Sequence, residues 1–422
     1  MAHNHHIKAP QKFEVPTPVR NIAIAMSVIG FVTFAGALVS DSPAAWNAYL
    51  IGYWFTLTLA LSGPFINATQ FLALAGWSVS VRRVGEAFGA FIPVATLLFI
   101  PIAVGGASKL YHWWDQAYVM ADPVLSKKAA WLNPTFFTAS CLISLAALTL
   151  TSLWMRKLSV DMDETGDTRT YPQQKAAAFL FIFSFATGYS MLSWNLLMSL
   201  QPHWFSTMWG VYTFSGMFQS GLAIMILVVL WLKGAGYYGD FVGTKQIHDL
   251  GKLFFAFTVF YAYIGFSQFM LIWYANIPEE AIWFVTRGTP TDIDTGWDLF
   301  GIALPFLKFV IPFLLLLPQD HKKNKNNILG YVAAGILFMQ AYEVWIWVSP
   351  TPHAPGELAA HVTLPWIEAL TTMGFFGFFG LVTLSALAKA NLVPTKDPFL
   401  GETIEHHHTG VRPAKPDHIT IS

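Results

Sequence analysis

The chain has 422 residues, is 55% hydrophobic and only 11% charged, and its mean hydropathy is +0.49. An average soluble domain carries roughly 25% charged residues, so this composition excludes a soluble enzyme and points to a polytopic membrane protein. The formal net charge of +0 offers nothing to a nucleic acid, and the single cysteine, Cys141, excludes an intrachain disulfide. It also excludes an iron–sulfur cluster held by this chain alone, which takes about four thiolates.

Residues 1–20 are polar and contain Pro10, Pro16 and Pro18, which predicts an N-terminal arm. The first apolar run leads into many more, so it reads as an uncleaved first span and not as a secretory signal. His3, His5, His6 and, near the other end, His406, His407 and His408 have nothing around them to fix a coordination geometry. No metal is expected. Apolar windows predict an all-α protein with ten spans, at 22–39, 48–75, 88–111, 134–156, 176–200, 207–232, 250–276, 297–318, 328–349 and 364–388. Spans 2–5 and 6–9 suggest two four-helix bundles, flanked by spans 1 and 10. This divides the chain into an arm (1–20), a membrane domain (21–390) and a C-terminal tail (391–422).

An even count puts both termini on one side. Nineteen of the 24 Lys and Arg residues fall on that side, four (Lys109, Lys127, Lys128 and Arg287) on the other, and Lys308 inside a span. Basic loops stay in the cytoplasm, which predicts a multi-pass protein with both termini cytoplasmic. The longer outer connections, 112–133 and 277–296, both contain Trp, and the second is acidic, with Glu279, Glu280, Asp292 and Asp294. They either dock a partner or cap the bundle.

The stretch from His248 to Arg287 is the most informative one. About 24 mostly apolar residues match a hydrocarbon core of roughly 30 Å, yet Tyr261, Tyr263, Ser267 and Gln268 lie within them. A helix facing only lipid has no use for those groups. The helix opens on His248, Asp249 and Lys252 and closes on Glu279 and Glu280.

Ionisable groups at membrane depth are functional candidates. Lys308 stands near the middle of its span and Glu343 a few residues outward of its own helix centre. At 1.5 Å per residue their depths differ by about 7 Å, within reach of a lysine stem, so the two are expected to pair. Asp298 and Glu368, with Glu279, Glu280 and His361 further out, outline an acid-lined descent toward them. From the cytoplasmic side His248, Asp249, Lys252, Tyr261, Tyr263 and Gln268 complete a proton path. The alternative is a static buried pair with packing tyrosines. At the outer end of the first bundle His112, Asp115 and Asn195 have the chemistry to bind a quinol headgroup and take its protons, or are simple interface residues. The histidines sit at span ends and loops, so a b-type cytochrome, which needs facing pairs inside spans, does not fit. No phosphate-binding glycine motif occurs.

The span pattern, the missing haem ligands and above all YIGFSQFMLIWYANIPEE at 263–280 resemble the NrfD/polysulfide-reductase-type membrane subunits. Within that group the chain is similar to those of alternative complex III, the bacterial quinol:cytochrome c oxidoreductase, and by length most like the F subunit. The resemblance implies a haemless ten-helix subunit in the bacterial inner membrane. Its partners would be a second NrfD-like subunit, a periplasmic iron–sulfur protein, haem c subunits and a terminal oxidase. Menaquinol or ubiquinol would be the donor, with haem c and iron–sulfur clusters in the partners and no redox cofactor here. In that family the quinol site belongs to the C-type subunit, where a histidine meets aspartates. His112 and Asp115 are the nearest match in this chain. Proton conduction through the second bundle is the role left to this subunit, with a secondary transporter or a purely structural anchor as the alternatives.

Overall fold

A computed structural model describes residues 10–287, 296–351 and 360–403. Ten helical stretches are long and apolar enough to cross a membrane, and among the described residues there is no strand. The protein is an all-α, multi-pass membrane protein. Its spans are, in order, span 1 (Thr17–Val39), span 2 (Ala44–Leu72), span 3 (Gly76–Leu110), span 4 (Pro134–Thr165), span 5 (Thr168–Leu200), span 6 (Trp209–Gly234), span 7 (Thr244–Ala275), span 8 (Asp298–Leu316), span 9 (Lys325–Val348) and span 10 (Trp366–Leu387). The tail histidines and part of the acidic 277–296 connection lie outside the described residues.

Span 2 packs on spans 3 and 5, span 3 on span 4 and span 4 on span 5, closing the first expected bundle. Spans 6, 7, 8 and 9 close a second in the same cyclic order, and spans 2, 5, 6 and 9 join the two. Spans 1 and 10 pair and lie against span 2. A Cβ at Gly30 would stand 2.3 Å from Cα of Gly374. Only glycines allow those two backbones to touch, the small-residue contact that helps membrane helices associate where no hydrophobic effect drives them.

Several helices outrun their apolar windows. Span 3 begins at Gly76 rather than 88, and it therefore buries Arg82, Arg83 and Glu86. The window missed this because the charges read as loop, whereas each is neutralised. Arg82 pairs with Asp397, and Arg83 contacts Glu86 at 2.6 Å and Asp163 at 3.2 Å. The segments read as arm and tail partly belong to the fold. Phe13 is wholly buried against Trp231 and Tyr237, while Leu392, Val393 and Thr403 are buried beyond span 10.

Spans 3 and 8 share an irregularity that positions the site. Each carries a proline, Pro101 or Pro305, followed by one wide π-turn, Ile102–Gly106 or Phe306–Val310. Proline removes one ladder N–H and crowds the preceding turn, and single π-turns accommodate such a break, often at functional sites. The second of these turns carries Lys308.

Candidate functional site

Each of the four helices of the second bundle contributes to one buried polar centre. Lys308 of span 8 and Glu343 of span 9 are both 0% exposed and form an ion pair through Nζ and Oε2. Tyr212 of span 6 and Tyr261 of span 7 both donate to Glu343 Oε1, at 2.6 Å each. Lys308 donates also to Gln340 Oε1 at 2.7 Å, one turn from Glu343 on the side of the termini. The Lys308 ammonium stands 4.2 Å from the Tyr261 ring centroid, so the ring face stabilises the cation alongside the two oxygens. Every charge in the centre is opposed or hydrogen-bonded. That is what permits two ions to be buried where each alone would be costly.

The site is tightly built. Gly216 of span 6 passes so close that a Cβ there would lie 3.0 Å from Gln340 Oε1, 3.2 Å from Glu343 Oε2 and 3.3 Å from Lys308 Nζ. Toward the side of the termini the polar character continues one step. Gln219 donates to Thr258 Oγ1 at 3.2 Å and to the Lys308 carbonyl at 3.4 Å. Gln219 Oε1 and Gln340 Nε2 are buried with no protein partner among the described residues, one an acceptor and one a donor. Beyond Thr258 the buried face of span 7 is Phe254, Gly251 and Leu250, an apolar face of about 13 Å at 1.5 Å per residue before the level of Asp249. Asp249 pairs with the exposed Lys252 at 2.6 Å, and His248 is half-buried.

On the opposite side the pair is roofed by aromatic rings. Trp347, one turn from Glu343 on the side away from the termini, packs on Tyr212 and Trp209 with centroids 5.6 and 5.2 Å away. Trp283 stacks on Trp204 at 4.4 Å and meets Trp209 edge-on at 4.9 Å. The Arg287 guanidinium lies 3.3 Å over Trp283 and donates to the carbonyls of Ile346 at 3.1 Å and Trp347 at 2.9 Å. Arg287 has no carboxylate partner among the described residues, and burial pushes its pKa down. Its cationic form is instead favoured by the carbonyls at the negative C-terminal end of span 9.

The predicted path residues therefore divide. Lys308, Glu343 and Tyr261 meet, and Gln268 faces the same interior, accepting from Ser206 at 3.3 Å. Tyr263 does not: it is 64% exposed, because two residues along a helix turn a side chain about 200°. The outer acids do not converge on the pair either. Glu279 is exposed, and Glu280 and Asp298 are half-buried. Glu368 is buried, but it lines a cavity of about 460 Å³ together with Ala341, Tyr342 and Trp345. At 100° per residue those three occupy the face of span 9 turned away from Glu343. The expected descent is thus broken twice, by span 9 itself and by the tryptophan roof.

No protein-family model matches the chain, and no curated protein matches it.

Among the described residues the first bundle has no comparable charged centre at mid-depth. Asn195 is committed to structure: its oxygen accepts from Trp131 at 3.1 Å and its amide donates to Ser140 at 2.8 Å. Asp115 caps the short helix Gln116–Ala121 by accepting from Ala117 N–H at 2.9 Å. His112 is half-buried in the turn after span 3. Among the described residues no three His, Cys, Asp or Glu side chains gather as metal ligands. Tyr212, Gln340 and Gln219 were missed from the sequence, since single polar residues in spans are common. Gln340 was the one with a signal, standing three residues from Glu343 on the same helix face.

Proposed function

We propose that this chain is a haemless, NrfD-like membrane subunit of a respiratory quinol:acceptor oxidoreductase, and that its second bundle carries protons through the Lys308–Glu343 centre. The complex membership rests on the resemblance of the 263–280 segment to that family. The proton role rests on one observation, a wholly buried ion pair built from all four helices of a bundle, with donors from spans 6, 7 and 8 converging on the Glu343 and Gln340 oxygens of span 9.

The arrangement has two states available to it. With Glu343 ionised, the pair and both tyrosines lock the centre. A proton placed on Glu343 removes the charge that holds Lys308 and leaves the ammonium with Gln340 and the Tyr261 ring. The ammonium then favours transfer of its own proton to water or movement toward Gln219, and the partner-free Gln219 Oε1 and Gln340 Nε2 offer sites for that water. Passage to either face requires further opening, through the tryptophan roof on one side and past Phe254 on the other. That is the property of a gated relay and not of an open channel. Electrons would be handled by partner subunits carrying haem c and iron–sulfur clusters.

Purification in a mild detergent with a visible absorption spectrum tests the assignment. Co-purification with haem c and iron–sulfur proteins is expected. A lone chain that binds a solute and carries it across vesicles would make it a secondary transporter instead.

A further inference from the structure

We propose that the groove between spans 4 and 10 binds the head of an anionic phospholipid. It is a cavity of about 670 Å³ at the terminus end of the two helices, separate from the bundle interior and from the cavity beside Glu368. Its rim carries three cations, Arg156, Lys157 and Lys389, against one acid, Asp161. None of the three cations has a carboxylate within ion-pair distance among the described residues. The half-buried Arg156 is anchored by one N–H to the Ala386 carbonyl at 2.8 Å, which leaves its remaining donors for a ligand.

The groove is graded along the membrane normal. Spans 4 and 10 run in the same direction, so Leu153 and Leu381 lie on the membrane side of the cations. Leu381 is about 12 Å from Lys389 along its helix at 1.5 Å per residue. On span 4 the exposed Leu150 lies deeper than Leu153, and the exposed Trp154 stands between Leu153 and Arg156; these are the residue types that meet acyl chains and the headgroup boundary. An apolar wall topped by unpaired cations matches a molecule with acyl chains below a phosphate. A free phosphate would use only the rim, and a zwitterionic lipid would bring its own cation into a site already net positive. Basic pockets between helices on the positive-loop side recognise anionic heads for this reason.

The test is native mass spectrometry of the purified chain, or of its complex, with phosphatidylglycerol, phosphatidylcholine and glycerol 3-phosphate offered separately. One phosphatidylglycerol should be retained under activation that strips phosphatidylcholine. Glycerol 3-phosphate should neither bind nor compete. Lys157→Gln with Lys389→Gln, which spares the Arg156 anchor, should weaken retention about 30-fold, each surface cation favouring an anionic lipid about fivefold. Equal retention of both lipids, displacement by glycerol 3-phosphate, or a double variant that binds like the wild type with an unchanged melting profile would each overturn the proposal.

Discussion

Replacing Lys308 by Met is the single change that interrogates the buried centre most sharply. The methionine fills much of the same volume, but Glu343 keeps only its two 2.6 Å tyrosine donors and loses its cation in a site with no exposure at all. Breaking one side of a buried pair costs about 3–5 kcal/mol, a large part of a net stability of about 5–15 kcal/mol. Adding Glu343→Gln removes the stranded charge. The amide oxygen can still accept from both tyrosines, and its NH2 can donate to Gln340 Oε1, which Lys308 has vacated. The double variant should therefore return to within about 1.5 kcal/mol of the wild type, the scale of one neutral hydrogen bond. Cys141 provides the assay, since it is the only thiol and wholly buried. A thiol-reactive dye then reports unfolding during a thermal ramp. A Lys308→Met variant that melts with the wild type, or a double variant no better than the single, refutes the reasoning that charge compensation holds this centre.

Four further outcomes are expected. Gly216→Ala should crowd all three charged or polar tips and cost about 1–3 kcal/mol, as overpacking does, whereas Gly335→Ala, where a Cβ meets nothing within 4 Å, should be neutral in the same ramp. Tyr212→Phe and Tyr261→Phe should each cost about 1.5–3 kcal/mol, the range for a hydrogen bond to a charged group. Tyr263→Phe on the exposed face should cost nothing measurable. Asp122 is held at about 2 by the Leu125 N–H and by His203, 2.8 Å away. A lowered carboxylate pKa stabilises above its unfolded value of about 3.9 and loses that contribution as pH falls toward 2. Protease protection of the 112–133 connection should thus decline across that window in the wild type and show no such step in Asp122→Asn. Glu279→Cys should react with an impermeant thiol reagent from outside intact cells and Asn324→Cys should not; the reverse pattern would invert the topology.

The fold was readable because its signals are one-dimensional. Ten apolar windows need no knowledge of contacts, and several helix ends went astray because charged residues there read as loop, as with Arg82, which the distant Asp397 neutralises. Lys308 and Glu343 stood out because charge inside an apolar window is rare. Their tyrosine and glutamine partners did not, since those residue types fit a packed bundle equally well. Tyr263 and the outer acids show the other boundary. Depth can be counted along a chain, but Glu368 lies at a plausible depth on the wrong side of span 9, and only the rotation of that helix reveals it. The tryptophan roof joins residues 204 and 209 with 283 and 347, three segments whose meeting no local pattern announces.

Proton movement during quinol turnover bears most directly on the role of the Lys308–Glu343 centre. The complex carrying Lys308→Met with Glu343→Gln should be reconstituted in vesicles, and quinol oxidation and transmembrane proton movement recorded together. If the centre carries protons, electron transfer continues near the wild-type rate while proton movement across the membrane collapses. An unchanged number of protons moved per electron in that well-folded double variant would contradict the relay and leave the pair a structural clamp.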